Sequence, residues 1–140
     1  MDVVAYGVGR KLVTLDRTQC LRLLTTVPVG RLIFTMDGLP AVKMMNFVLA
    51  DGLIVLRSAP GTAADRKAPG SVVALEADMV DTATSSGWSV TVIGQAGLVT
   101  DADVIASYTA LPLARWAPDE RDHFVTISTD VVRGQRILPG

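Results

Sequence analysis

The feature that most constrains this chain is a series of short apolar runs separated by tight-turn signals. Residues 30–36 are followed by Asp37-Gly38, and the next run, 41–49, is followed by Asp51-Gly52. An Asp-Gly pair between two apolar runs is typical of a β-hairpin, because both residues adopt positive φ readily. We therefore expect three antiparallel strands in succession, the third covering residues 53–57.

The rest of the chain continues this pattern with further strands and few helices. Residues 71–79 and 88–100 are predicted strands, with a bend or bulge suggested by Gly94 and Gly97. Residues 123–137 hold the last strand or two. Helices are expected over 14–25, capped by Thr14, and over 101–111, capped by Asp101, with a helical turn over 63–68. Six short strands with a few short helices predict a mainly β fold, a small antiparallel barrel.

Length and composition bound the organisation of the chain. Its 140 residues predict one domain, 1–140, with residues 1–12 as a flexible N-terminal segment. Hydrophobic residues make up 49% of the chain and aromatic residues only 5%, so aliphatic side chains build the core. The strands are apolar on both faces. The outer face of a barrel then needs a helix or a second subunit to cover it, which favours a dimer.

Charge and cysteine usage exclude several classes of partner. The formal net charge of −1 gives no electrostatic case for binding nucleic acid or an anionic membrane. The single cysteine, Cys20, cannot form a disulfide within the chain, which predicts a reducing, cytoplasmic setting. We expect neither a signal peptide nor a membrane span. With His123 as the only histidine, no Cys/His metal motif is expected.

The stretch SAPGTAADRK, residues 58–67, is the first candidate site. The hydroxyls of Ser58 and Thr62, with a glycine between them, are suited to hydrogen-bonding phosphate oxygens. The alternative is an ordinary turn in which Thr62 caps a short helix. The basic residues that would supply charge to a phosphate are Arg57, Arg66 and Lys67.

The second candidate is Asn46, a polar residue inside an apolar strand. It could hydrogen-bond the edge of a heteroaromatic ligand while Met44 and Met45 pack on the ring. The alternative is a surface asparagine beside core methionines.

Two tryptophans are further candidates. Trp88 at a strand start could stack on a planar ligand, or pack in the core or a dimer seam. Trp116 lies in a loop near Arg115, Arg121 and His123, an arrangement that suits a lid over an anionic aromatic ligand or a simple loop anchor.

Two groups have weaker signals. Glu76 and Asp78 share one face of a strand, where they could form a carboxylate dyad or a solvated strand end. Cys20 has no activating partner in the pattern and is expected to be buried in its helix.

Taken together, these stretches resemble a known family. The segments PVGRLIFTMDGLPAVKMMNF, GLIVLRSAPGT, SGWSVTVIGQAGLVTD and RWAPDERDHFVTI are similar to those of the pyridoxamine 5′-phosphate oxidase-like, FMN-binding split-barrel proteins, especially their short bacterial branch. The resemblance runs from about residue 15 to 137. It implies a six-stranded split barrel in a homodimer, with two equivalent cofactor sites at the subunit interface and a small-molecule substrate.

The resemblance also implies roles for individual residues. The segment Lys43-Met44-Met45-Asn46 would run along the flavin ring, and the hydroxyls of Ser58 and Thr62 would hold the FMN phosphate. The family normally has a basic residue after the second hydroxyl, where this chain has Ala63 and then Ala64. A lost charge-assisted contact of this kind weakens binding by about 1.5–3 kcal/mol. The family's usual proline of the second strand is also replaced, by Met44.

The resemblance implies an FMN-dependent oxidoreductase that transfers a hydride or two electrons to or from a small planar substrate. Two alternatives remain: a reductase of the same fold that uses a deazaflavin coenzyme, and a cofactor-free interaction dimer that has lost the phosphate contacts. A heme-binding relative is a weaker option.

Overall fold

The structure is a computed structural model that describes residues 3–6, 10–113 and 123–139. Within these ranges it contains nine strands and three short helices, and every strand pairing is antiparallel. The elements in chain order are β1 Val3–Tyr6, β2 Arg10–Leu15, α1 Arg17–Leu24, β3 Val29–Met36, β4 Leu39–Ala50, β5 Leu53–Arg57, α2 Ala63–Lys67, β6 Val72–Asp81, β7 Ser86–Leu98, α3 Ala102–Thr109, β8 Phe124–Ser128 and β9 Val131–Leu138.

Six of these strands close into a ring. The order around it is β7, β6, β3, β4, β5 and β8, and β8 pairs again with β7. These are the six strands that the sequence predicts, so the mainly β, six-stranded split barrel with a few short helices is confirmed. Strands β9, β2 and β1 extend the sheet outward from β7, and β1 and β2 were not predicted.

The barrel splits at Gly94, where β7 changes its neighbour. Residues Gly87–Ile93 of β7 pair with β9, whereas Ala96–Leu98 pair with β8. A Cβ atom at Gly94 would overlap the backbone carbonyl oxygen of Ser128. The bend or bulge predicted here therefore corresponds to a change of strand partner, which needs a residue without a side chain.

Both predicted Asp-Gly hairpins are confirmed. Asp37 and Gly38 have φ of 52° and 79°, and they join strands whose end residues Met36 and Leu39 are paired. The second turn, Asp51-Gly52, repeats this geometry with φ of 51° and 77°. Two-residue turns with positive φ match the twist of the flanking strands, which is why the local sequence predicts them well.

The start of the first helix differs from the prediction. Thr14 is not the cap, because it lies in β2 opposite Gln135. The N-cap is Asp16, whose Oδ1 accepts a hydrogen bond of 2.8 Å from the Gln19 N–H, while Gln19 Oε1 accepts one of 2.9 Å from the Asp16 N–H. This reciprocal capping box begins α1 after the strand ends. The predicted cap of α3, Asp101, is confirmed.

The interior of the barrel is aliphatic. It includes Leu32, Leu56, Leu75 and Val92, and α1 adds Cys20 and Leu24 from one end. A second apolar cluster lies outside β5 and β8, where α3 covers them; its buried members are Val55, Tyr108, Leu113 and Phe124. In this second cluster, α3 covers part of the outer face of the barrel, as the sequence predicts.

Candidate functional site

The loop that follows β5 is held firmly to the barrel. Ser58 is the first residue after β5 and is only 2% exposed. Its backbone N–H donates a hydrogen bond of 2.9 Å to the carbonyl oxygen of His123, at the start of β8. Residues 58–62, which we call the β5–α2 loop, therefore begin at a fixed position on the barrel wall.

Thr62 ends the loop as the N-cap of α2. Its Oγ1 accepts a hydrogen bond of 3.3 Å from the Asp65 N–H and donates one of 2.9 Å to the Ala59 carbonyl oxygen. The hydroxyl is thus used inside the turn, as in the capping alternative.

The carboxylate of Asp65 lies at the centre of this loop. Its Oδ2 accepts a hydrogen bond of 2.7 Å from the Gly61 N–H. Its Oδ1 accepts a longer bond of 3.4 Å from Ser58 Oγ and also hydrogen-bonds with Nε2 of His123. We call the three groups around it, Gly61 N–H, Ser58 Oγ and His123 Nε2, the cradle.

The cradle does not fit a phosphate monoester as it stands. The Ser58 hydroxyl, which the sequence assigned to a phosphate, and the Gly61 N–H both donate to a carboxylate of this same chain. A phosphate placed there would have to displace Asp65 or lie next to its negative charge. The arrangement can therefore hold one anionic group, and Asp65 already supplies it.

The predicted cationic residues lie in three different environments. Arg57 is buried at 6% exposure, with its guanidinium carbon 5.0 Å from the centre of the Phe124 ring. Arg66 is exposed, and Lys67 forms a surface ion pair of 3.7 Å with Asp37 in the β3–β4 turn. Of the three, only Arg57 is a buried charge beside the loop.

Asn46 lies beside Arg57 on the neighbouring strand. The β4–β5 ladder pairs Phe47 with Leu56, so Asn46 and Arg57 each stand one residue beyond the same pair. Asn46 is 8% exposed, which rules out the surface alternative. The β4–β5 hairpin thus places Asn46 beside Arg57 and Ser58, which follow it by 11 and 12 positions in the sequence.

A groove of about 460 Å³ opens next to Asn46. It lies between the end of α1, the C-terminal part of β4 and the segment after α3, and its walls are mostly apolar. This volume is within the range of about 300–1,000 Å³ typical of small-molecule sites. An apolar groove with one buried amide is suited to a planar heteroaromatic ring.

The two methionines before Asn46 point to opposite faces of β4. Met44 is 57% exposed on the outer face, whereas Met45 is 5% exposed and packs in the barrel core. Alternation along a strand requires this, because successive side chains point to opposite faces. Only Met44 is on the same face as Asn46, and ring contacts by either methionine stay predictions.

Trp88 is not part of the groove. It pairs with Met79 and Arg136 near the start of β7 and is half-buried. The loop after α2 meets β7 at Ala96 instead, where the Ala96 N–H donates to the Ser71 carbonyl oxygen. Trp88 and Ala96 are eight residues apart along β7, on either side of Gly94. Trp116, with Arg115 and Arg121, lies outside the described residues.

The carboxylates of Glu76 and Asp78 share an outer-face ion cluster. Arg31 donates hydrogen bonds of 3.0 Å to Glu76 and 3.1 Å to Asp78. Burial, followed by the nearby Asp78 carboxyl, raises the pKa of Glu76, and Arg31 opposes this shift. Both carboxylates of the conceivable dyad are thus held by a cation on the outer surface of the barrel.

The described part of the chain has no cluster of side chains that could hold a metal ion. Nor does any helix in it have the length and apolar character needed to cross a membrane.

Sequence reasoning missed Asp65 and undervalued His123. A local signal for Asp65 was present, because Thr62-x-x-Asp65 has the spacing of a capping box. In a capping box the acid returns to the N-cap N–H, whereas here it reaches Gly61 one residue earlier. No local signal places His123 in the cradle, since 58 positions separate it from Asp65.

The chain is similar in sequence to one protein family over most of its length. The sequence model of one family, described as pyridoxamine 5′-phosphate oxidase, matches residues 16–136. An uncharacterized protein of Mycobacterium tuberculosis is 39% identical over 135 residues, which cover 93% of this chain and 88% of that protein.

Two solved structures have the same fold over nearly their whole length. An FAD-binding protein of Mycobacterium smegmatis is 29% identical with a TM-score of 0.71, covering 89% of this chain and 97% of that one. A conserved protein of unknown function from Corynebacterium diphtheriae is 28% identical with a TM-score of 0.76, covering 91% and 98%.

Proposed function

Because the chain belongs to the pyridoxamine 5′-phosphate oxidase family, we propose that it binds a flavin in the groove beside Asn46 and acts as an oxidoreductase. A bound flavin would supply two-electron or hydride transfer to or from a small planar substrate. The protein's part is to orient the ring and to exclude water from it.

The observation that carries this proposal is the groove itself. Its apolar walls would cover the faces of a flavin ring, and the Asn46 amide can hydrogen-bond polar atoms at the ring edge. The similar protein of Mycobacterium smegmatis is an FAD-binding protein, which supports a flavin as the ligand. FMN was expected from the sequence, but the carboxylate in the cradle argues against a tightly held monophosphate.

We further propose a homodimer built on the outer face of the barrel. Val42, Ile33, Ala74 and Ile93 are paired in register across β4, β3, β6 and β7, and Val131 of β9 continues the row. Val42 is 64% exposed and Met44, in the neighbouring row, is 57% exposed. An exposed apolar surface of this extent is suited to a second copy of the chain. Trp88 packs against the barrel core and lies on the opposite face of β7 from Ile93.

The flavin proposal is tested by an absorbance spectrum of the purified protein, followed by titration with riboflavin, FMN and FAD monitored by flavin fluorescence. We expect saturable quenching at micromolar concentrations of at least one flavin. An Asn46→Leu variant should weaken binding of all three about equally, because the ring is common to them. Gln135→Leu, which makes the same amide-to-leucine change at an exposed position of β9 away from the groove, is the control.

A second candidate is the cofactor-free interaction dimer. It is favoured by the occupied cradle together with Ala63 and Ala64 in place of a basic residue. This candidate would be supported if the protein quenches the fluorescence of none of the three flavins and does not bind a deazaflavin coenzyme. Binding of the deazaflavin alone would instead support the reductase of the same fold.

A further inference from the structure

We propose that Asp65 determines ligand specificity, because its carboxylate takes the place of a terminal phosphate monoester in the cradle. The chain then discriminates against FMN and favours a flavin without a dianionic monoester, such as FAD. This inference rests on the proposed flavin site and concerns which flavin that site accepts.

The first step of the argument is the occupancy of the donors. Gly61 N–H has a single hydrogen and donates it to Asp65 Oδ2 at 2.7 Å, a short bond typical of a charged acceptor. Ser58 Oγ, 2% exposed as a residue, has a single hydroxyl hydrogen directed at Oδ1. Neither group can serve a phosphate oxygen as donor without first leaving the carboxylate.

The second step is the support behind Asp65. His123 Nε2 bonds to Oδ1, and the His123 carbonyl oxygen accepts the Ser58 N–H at 2.9 Å. The side chain of Asp65 is only 12% exposed. It is therefore held in the cradle by residues from the loop and from the start of β8, and its displacement would break all of these contacts.

The third step is charge. A phosphate monoester carries a charge of about −1.5 to −2 near neutral pH, whereas each phosphate of a diphosphate-linked flavin carries about −1 at the same position. The two residues after Thr62 are Ala63 and Ala64, so neither position supplies a cation to the loop. Lys67 is directed to Asp37, and the buried guanidinium of Arg57 lies over the Phe124 ring. The Asp65 carboxylate would therefore repel a dianion more strongly than it repels a singly charged group, and it would not repel an uncharged group.

The test is a comparison of three ligands across matched variants. The dissociation constants of riboflavin, FMN and FAD are measured by fluorescence for the wild type, for Asp65→Asn and for Asp103→Asn. Asp103 is the matched control, because it also lies in the first turn of a helix and is exposed on α3. The thermal midpoint with added inorganic phosphate is measured for the same proteins.

For the wild type we expect FMN to bind no more tightly than riboflavin, and FAD to bind more tightly than FMN. In Asp65→Asn, FMN affinity should rise about tenfold or more while riboflavin affinity stays within about twofold. Inorganic phosphate should raise the thermal midpoint of Asp65→Asn but not of the wild type or Asp103→Asn.

If the wild type binds FMN tenfold more tightly than riboflavin, the inference is overturned. This measurement needs no variant. An unchanged FMN-to-riboflavin ratio in a folded Asp65→Asn would do the same. If Asp65→Asn does not fold, Asp65→Ser removes the same charge. If no flavin binds any of these proteins, the proposed function fails, and the phosphate-induced shift of the thermal midpoint still decides the role of Asp65.

Discussion

Asp65 of α2 and His123, the residue before β8, meet across 58 positions of sequence through a carboxylate–imidazole hydrogen bond. The backbone of His123 also accepts the Ser58 N–H. One residue therefore secures the β5–α2 loop by its main chain and its side chain together.

This pairing predicts a measurable coupling. His123→Ala should lower the free energy of unfolding by about 1–3 kcal/mol, because it leaves a largely buried carboxylate with fewer partners. The double variant with Asp65→Asn should cost less than the sum of the single variants, since each removes the same interaction. Urea denaturation of the four proteins measures this. Additive costs would contradict an energetic link between the two side chains.

Gly94 should tolerate no side chain. We expect Gly94→Ala to destabilise the fold by about 3 kcal/mol or more, because its Cβ would overlap the Ser128 carbonyl oxygen where the barrel splits. Gly97→Ala is the control on the same strand, since its Cβ would meet only Thr126 Oγ1 at 3.7 Å. Its effect should stay within about 1 kcal/mol. Equal thermal midpoints for the two variants would disprove the requirement at Gly94.

The outer-face carboxyl predicts a pH dependence of stability. Burial and Asp78 raise the pKa of Glu76 above its ordinary value of 4.5. The folded state thus binds the Glu76 proton more strongly than the unfolded state. The contribution of the protonated Glu76 carboxyl to stability therefore falls as the pH rises from about 4.5 through the raised pKa. Denaturation of the wild type and Glu76→Gln between pH 4 and 8 measures the difference.

As the pH rises through this window, the wild type should lose stability relative to Glu76→Gln. Asp103→Asn, which removes one exposed carboxyl on α3, is the control for the loss of a negative charge. A wild type that gains stability relative to Glu76→Gln as the pH rises would mean that the Arg31 ion pair outweighs burial.

Cys20 should be inert in the folded protein. It is fully buried, and burial followed by the charge of Asp16 raises the pKa of its thiol. Both effects slow reaction, since the attacking species is an accessible thiolate. Ellman's reagent should label it at least about a hundredfold more slowly in buffer than in denaturant. Fast labelling of the native protein would show that α1 opens readily from the barrel.

The apolar row on the outer face predicts where a dimer forms. Val42→Lys should raise the dimer dissociation constant by at least tenfold, because it places a charge in the proposed contact. Leu39→Lys is the control. Leu39 is exposed near the β3–β4 turn, and its side chain points to the opposite face of β4 from Val42. Sedimentation velocity measures both. A wild type that is monomeric at all concentrations would refute the dimer.

Much of the fold was predictable because its signals are local. Asp37-Gly38 and Asp51-Gly52 specify their hairpins through backbone φ alone, and Asp101 caps α3 with its own side chain. The cap of the first helix was placed two residues too early, because Thr14 and Asp16 are both good caps. The choice between them is made by the pairing of Thr14 with Gln135 in β9.

The sequence by itself determined the six barrel strands, their turns and the family, since turn chemistry and apolar patterning act over a few residues. Only the tertiary structure decided what fills the loop after β5. Ser58, Gly61 and Asp65 are near neighbours in the chain, but the direction of the Asp65 carboxylate depends on His123, which the closure of β8 against β5 brings to the same place. A hydrogen bond between residues so far apart leaves no pattern in the sequence, because it exists only once the barrel has closed.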